Sequence, residues 1–182
     1  MSIFEQDGSS EALLSQPASS GDPKATESSS PSCWRALGFK LDDAQLAIPI
    51  EQVSELATCT SFTSVPFVKA WVKGVTNVRG GLLTIVDLSN FLGKAPVQLK
   101  RGSRLIVVNS QGLQAALLTN EVLGLRQFEE PSATASITEF DEALRPFLTR
   151  AISVDSVQWG VFDLNRLSAD DDFRHIRADA HG

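Results

Sequence analysis

The chain is poor in the residues that most often do chemistry at a protein site. Among 182 residues it has two histidines, His175 and His181, and two cysteines, Cys33 and Cys59. Both histidines fall in a polar C-terminal stretch, a poor place to preorganise a general base. The cysteines fit no zinc spacing, with each other or with a histidine, and they do not make the framework of a disulfide-rich fold. They read as ordinary small hydrophobes in a reducing, cytoplasmic compartment. Positive charge is also short: 16 Lys and Arg stand against 22 Asp and Glu, a net charge of −6. The basic footprint of a nucleic-acid or anionic-membrane binder is therefore missing. No apolar run approaches the roughly 20 residues that cross a bilayer, and the start, MSIFEQDGSS, lacks the charged and apolar regions of a signal peptide. A soluble protein without metal or cofactor is expected.

What is present is enough apolar content for a core, 42% of residues, in one compact domain or two small units sharing a core. Residues 1–32 are rich in Ser and Pro and read as a disordered tail, with Glu11–Leu14 read as ordinary tail rather than as a transient helical turn or docking motif. From Trp34 the pattern changes. Leu37, Phe39 and Leu41 alternate on one face, Asp42–Gln45 offers a turn, and Leu46–Ile50 returns, which predicts a hairpin with Pro49 at an edge or strand end. Pro66 opens a predicted short helix through Val72. Leu82–Leu88 reads as a buried strand, and Leu88–Gly93 as a helical turn closed by glycine. Arg104–Thr119 is a second hairpin turning at NSQG, Glu121–Phe128 continues extended, and Arg150–Leu164 is a third strand pair. Residues 129–146 predict a mobile loop with some helix. Leu164, Leu167 and Phe173 would anchor a short C-terminal helix.

Residues 35–56 can be laid on 104–125. Arg35/Arg104, Gln45/Gln114, Ala47/Ala116, Val53/Val122 and Leu56/Leu125 are then identical. A repeat of short strands and Gly/Pro turns suggests two small β-barrels side by side. The expected organisation is a tail over 1–32, an all-β domain with short helices over 33–167, and a polar C-terminal tail over 168–182. The domain's halves lie at about 33–98 and 99–167, with strand exchange between them left open.

The stretch WVKGVTNVRGGLLTIVDL, Trp71–Leu88, is the most distinctive. It contains no P-loop, no dinucleotide-binding glycine triplet and no nucleophile elbow. Asp87 leaves a strand and reads as a cap for the following turn rather than as a catalytic acid. The Ser168–Asp172 acidic run reads as a solvated helix start. An enzyme built on Asp87 and Arg79 would lack a base, a nucleophile and a metal.

This stretch, with IPIEQVSEL before it and RLIVVNSQGLQAALLTNEVLGLRQF after it, resembles the CheW-like domain family of bacterial chemosensory systems. The family pattern falls on Val53 and Glu55, Pro66, Gly74 to Gly80, and Leu82 to Leu88. KAWVKGVTNVRG, LRPFLTRA and QWGVFDLNRL are similar to the CheW-type adaptors of type IV pilus twitching systems. Thr84 stands where the family usually has Pro, and Asn120 where it has Asp. The resemblance implies two five-stranded SH3-like barrels around a hydrophobic core and no chemical activity. It implies coupling of a methyl-accepting chemoreceptor's cytoplasmic tip to the regulatory domain of a CheA-type histidine kinase, at membrane-associated receptor arrays. Alternatives are a flagellar coupling protein and a variant with another signalling target. The candidate partner-binding residues are Val53, Glu55, Gly74, Asn77, Arg79 and Gly80. Glycines at 74 and 80 permit positive φ or close backbone approach. Val53 and Glu55 share a face of an extended segment. Arg79 offers a planar donor fork, either to a partner or to Glu55 or Asp87 within the chain.

Overall fold

The computed structural model describes residues 32–110, 112–130 and 133–176. Residues 1–31 of the expected tail, Gln111 of the NSQG turn and His181 lie outside them. Strands β1 (Ser32–Leu41) and β2 (Ala44–Pro49) form the first hairpin, with Leu41 opposite Ala44 and Pro49 ending β2. Strand β3 (Val53–Thr58) follows, then β4 (Val72–Val78), β5 (Gly81–Asp87) and the single turn α1 (Leu88–Phe91). The second half repeats this order. It runs β6 (Arg104–Ser110), β7 (Leu113–Leu118), β8 (Glu121–Glu130), the short β9 (Ala133–Ala135), β10 (Leu148–Val154), β11 (Val157–Phe162), α2 (Leu164–Ala169) and α3 (Asp171–Arg174).

The strands form two sheets, and each half of the chain lends a hairpin to the other: β1–β2 joins the sheet of β8–β11, and β6–β7 joins that of β3–β5. The six-stranded sheet runs β8-β1-β2-β11-β10-β9; the five-stranded sheet runs β3-β6-β7-β5-β4. Thus β3 leaves its own hairpin to pair with β6, and β8 leaves its own to pair with β1. Both sheets curl shut in the same way. Chain running on from β8 becomes β9 and pairs with β10, while Thr63, just after β3, bridges to Val75 of β4. The six strands of the first sheet, against the five expected, come from counting β9 separately.

Adjacent residues of a strand point to opposite faces, and here each face has a core to fill. Leu37, Phe39 and Ile48 join Ile106, Val108 and Leu117 in one cluster fed by both sheets. Their neighbours Ala36 and Ala47 pack with Phe128, Ile152 and Trp159 in the six-stranded sheet alone. Leu105 and Ala116 pack with Cys59, Ile85 and Leu118 in the five-stranded one. Ala36 and Leu105, and Ala47 and Ala116, are repeat partners, so the weak sequence repeat corresponds to equal places in two barrel interiors. Each fully buried Leu, Ile or Phe of this kind contributes roughly 1.5–3 kcal/mol.

Two local expectations are overturned. Pro66 opens no helix, because Phe67 takes a left-handed φ of 57°, which ends any right-handed turn there. The described part of residues 129–146 has the expected helical turns, at Ile137–Glu139 and from Arg145, but it is not a loose loop. Phe140 and Leu144 are buried in the shared core, as is Phe147 just beyond them, so the stretch is fixed by apolar anchors that polar neighbours concealed. Arg145 ties it further by donating to the carbonyls of Thr138 and Phe140, each at 2.9 Å.

A lysine clamps that stretch to the first hairpin. Lys94 Nζ lies 3.1 Å from Asp141 and 3.5 Å from Asp42 at the β1–β2 turn. A hydrogen bond from the Ala143 N–H, then the Lys94 ammonium, hold the Asp141 carboxyl below its ordinary range. The hydrogen bond to Asp141 raises Lys94 above its own. A depressed acid adds stability above its unfolded value, about 3.9, and loses it as pH falls through the folded value; a raised lysine adds stability below about 10.4 and loses it as pH climbs higher. The difference in stability between wild type and Asp141→Asn should therefore be flat between about pH 5 and pH 10, shrink toward zero in acid, and be reduced by salt. Denaturant titrations at three pH values check this; a difference that persists below pH 3 would assign Asp141 a packing role instead.

Candidate partner-binding site

The β4–β5 hairpin turns in two residues, Arg79 and Gly80, between the paired Val78 and Gly81. Both have positive φ, 50° and 86°. Two consecutive left-handed residues define the type I′ turn, whose twist suits a two-residue hairpin and whose first position favours Asn, Asp or Gly. Asn77 supports the turn by accepting from the Gly80 N–H at 2.9 Å. Arginine at the first position is strained by its Cβ, and nothing in the turn geometry asks for it. Its side chain is 82% exposed, and its Nε donates to Glu55 Oε2 at 2.7 Å. The predicted internal partner is thus Glu55. Asp87 is instead engaged by Lys73 at 3.3 Å.

Glu55 sits on β3, the strand at the opposite edge of the same sheet. The ion pair therefore crosses the closing seam of the five-stranded barrel. Further along that seam the closure is backbone. Thr63 and Val75 exchange N–H···O bonds of 2.9 Å in both directions, and Thr76 Oγ1 donates to the Ser61 carbonyl at 2.7 Å. Gly74 makes this approach feasible. It has φ of 138°, and a Cβ there would lie 2.3 Å from the Thr63 carbonyl oxygen.

The six candidate residues thus separate. Glu55, Asn77, Arg79 and Gly80 meet at one turn. Gly74 is buried down β4, where its close approach is to its own chain. Val53 is half-buried and packs against the shared core. Alternation along β3 keeps Val53, Glu55 and Ala57 half-buried while Ser54, Leu56 and Thr58 are exposed. Leu82, directly across from Asn77 and 70% exposed, was not singled out. The signal for it was an apolar residue placed straight after the glycine pair, where the strand has not yet reached its buried part.

Cys59 is buried, and burial pushes its thiol up, away from nucleophilic character; Cys33 is exposed, and neither forms a disulfide. Among the described residues no cluster of three or more His, Cys, Asp or Glu is placed to hold a metal, and no helix is long and apolar enough to cross a membrane. Asp87 is fully buried and accepts from Asn90 N at 3.1 Å and Val97 N at 2.8 Å, as a cap does. Asn120, at the departure from the family pattern, accepts from Asp42 N at 3.0 Å and Ser89 Oγ at 2.8 Å, joining the first hairpin to α1.

Two strand-exchanged barrels with an arginine turn at one seam match a known family model. The CheW-like domain model aligns with residues 35–172. The chain belongs to the CheW-like domain family. Among curated relatives, protein PilI of Pseudomonas aeruginosa is 33% identical over 143 residues, covering 79% of this chain and 80% of PilI. Protein FrzA of Myxococcus xanthus is 33% identical over 89 residues, 49% of this chain and 56% of FrzA. The scaffolding protein TtCheW of Thermoanaerobacter tengcongensis shares the fold, with a TM-score of 0.61 at 21% identity over 72% of this chain and 90% of its own. By family the chain is a CheW-like scaffold.

Proposed function

We propose that this CheW-like protein is a non-enzymatic adaptor coupling a methyl-accepting chemoreceptor to a CheA-type histidine kinase, in a chemosensory system that controls type IV pili and twitching motility. In this role it joins receptor arrays at the membrane without inserting into it. The similarity to PilI over four-fifths of both chains supports the pilus pathway. The observation that carries an interface at the β4–β5 turn is Arg79 itself, a strained, exposed arginine in a turn that Asn or Gly would make more easily. An exposed ion pair to Glu55 contributes only about 0.2–1 kcal/mol, while a left-handed non-glycine residue costs of order 1–3 kcal/mol. Folding alone does not account for it. Arginine next to an exposed leucine is, however, a composition typical of interface anchors.

Arg79→Asn should therefore fold as well as wild type or melt a few degrees higher, since 1 kcal/mol moves a chain of this size by roughly 2–4 °C. The same variant should lose at least tenfold in affinity for kinase or receptor in a pull-down from the native cell, and Arg79→Glu should lose more. If both variants keep both partners at wild-type affinity, the turn is not the interface. Identifying the captured kinase distinguishes twitching from flagellar control.

A further inference from the structure

The C-terminal end of the domain covers a groove with little to hold it. Asp170 ends α2 in an extended conformation and starts α3 by accepting from Phe173 N at 2.9 Å. Of the four residues of α3, only Phe173 is buried; Asp171, Asp172 and Arg174 face solvent. Phe173 stacks on Trp71, ring centroids 5.5 Å apart and 8° from parallel, and meets Phe91 edge-on at 5.2 Å. Beyond it, the Ile176 carbonyl accepts from Lys69 N at 2.9 Å. Among the described residues, the segment is anchored by Phe173, by the Ile176 carbonyl and by the Asp170 N–H, which donates to the Leu167 carbonyl at 3.2 Å.

Space lies on both sides of that anchor. A cavity of about 510 Å³ is bounded by Trp71, Val86, Leu113, Ala115, Phe173 and Ile176. Another, of about 460 Å³, is bounded by Lys69, Trp71, Phe91, Phe147, Asp170 and Asp172. Trp71 belongs to both, and the α3 segment is the partition. Lifting it would join them into one aromatic-floored groove beside the start of β4. Such a segment, with few buried contacts and a largely solvated face, belongs to the part of a structure that opens locally.

We infer that residues 170–176 are a displaceable strap over a helix-accepting groove, and that the groove takes a short acidic helix of a partner carrying one aromatic residue in the place of Phe173. The partner's chemistry is read from the strap itself. The seat accepts a helical turn with an aromatic on one side, and Lys69 lines it together with the strap's Asp170 and Asp172, so charge complementarity favours an acidic helix. A tethered strap competes at the high effective concentration of a short linker, so it also excludes weak partners.

The test needs neither kinase nor receptor, so its outcome is independent of the coupling role proposed above. In native-state hydrogen exchange on the full chain, the amides of Lys69, Phe173 and Arg174 should exchange at least a hundredfold faster than those of Val72 and Asp87. A synthetic peptide of residues 168–182, carrying a fluorescent label, should then bind full-length Phe173→Ala at least tenfold more tightly than wild type, read by the anisotropy of the label. The same peptide with Phe173→Ala should bind neither. Strap amides that exchange only with global unfolding would overturn the inference. Equal binding of the peptide to both chains, or binding to neither, would do the same.

Discussion

Gly74→Ala should destabilise the protein by about 3 kcal/mol or more, lowering the melting temperature by on the order of 10 °C. The added methyl would lie 2.3 Å from the Thr63 carbonyl oxygen, a backbone atom that cannot rotate away, at a φ of 138° that side chains rarely adopt. Relief requires breaking the paired 2.9 Å bonds between Thr63 and Val75, which close the five-stranded barrel. Gly80→Asn is the control. Its φ is also positive, but nothing lies within 4 Å of the new Cβ, and asparagine tolerates that conformation, so the change should stay under about 1 kcal/mol. Thermal melts of the two variants separate close approach from turn conformation. If Gly74→Ala melts within 2 °C of wild type, the seam is not held where it is closest.

Asp87→Ala should cost about 3 kcal/mol, well above the roughly 1 kcal/mol of an ordinary cap. The carboxylate is fully buried and serves three groups: Asn90 N, Val97 N and the Lys73 ammonium at 3.3 Å. Removing it leaves two half-buried amides without their acceptor and Lys73 with the Ala70 carbonyl as its remaining partner among the described residues. The repeat supplies the comparison. Asp163 stands at the equivalent place after β11, capping α2 through Asn165 N at 2.8 Å, with Arg166 3.7 Å away and the side chain 18% exposed. Asp163→Ala should cost only about 1 kcal/mol. Equal losses in chemical denaturation would mean that burial and the lysine add nothing beyond the cap.

Much of this was legible in local pattern. The alternation of Leu37, Phe39 and Leu41 placed β1 and its buried face, and the Asp87 cap followed from an acid between a strand and a helical turn. The choice of Glu55 or Asp87 as Arg79's partner was posed by charge alone and decided by topology, since β3 and the β4–β5 turn meet only once the sheet closes. What local pattern could not convey was non-local or atypical. Lys73 reaching Asp87 is a cross-strand contact, and the bridge at Thr63 depends on a register set 12 residues away. Phe67 holds a conformation that phenylalanine seldom takes, so proline at 66 pointed to a helix that does not form. Residues 129–146 looked mobile because their apolar residues are few among polar neighbours; Phe140 and Leu144 stand four apart, a helical spacing too short to stand out, yet both are sunk into the shared core.

The exchange of the β1–β2 and β6–β7 hairpins between the two halves has a practical consequence. A cut in the connection between Leu92 and Ser103 leaves neither fragment with a closed barrel of its own: each keeps a hairpin, β1–β2 or β6–β7, that the other's sheet requires. Expressed separately, the two pieces should be insoluble or unfolded; expressed together, they should reassemble into a nicked whole. The protein is thus a natural candidate for a split reporter, in which recovery of fold, read by circular dichroism or by kinase capture, signals that two fused proteins have met.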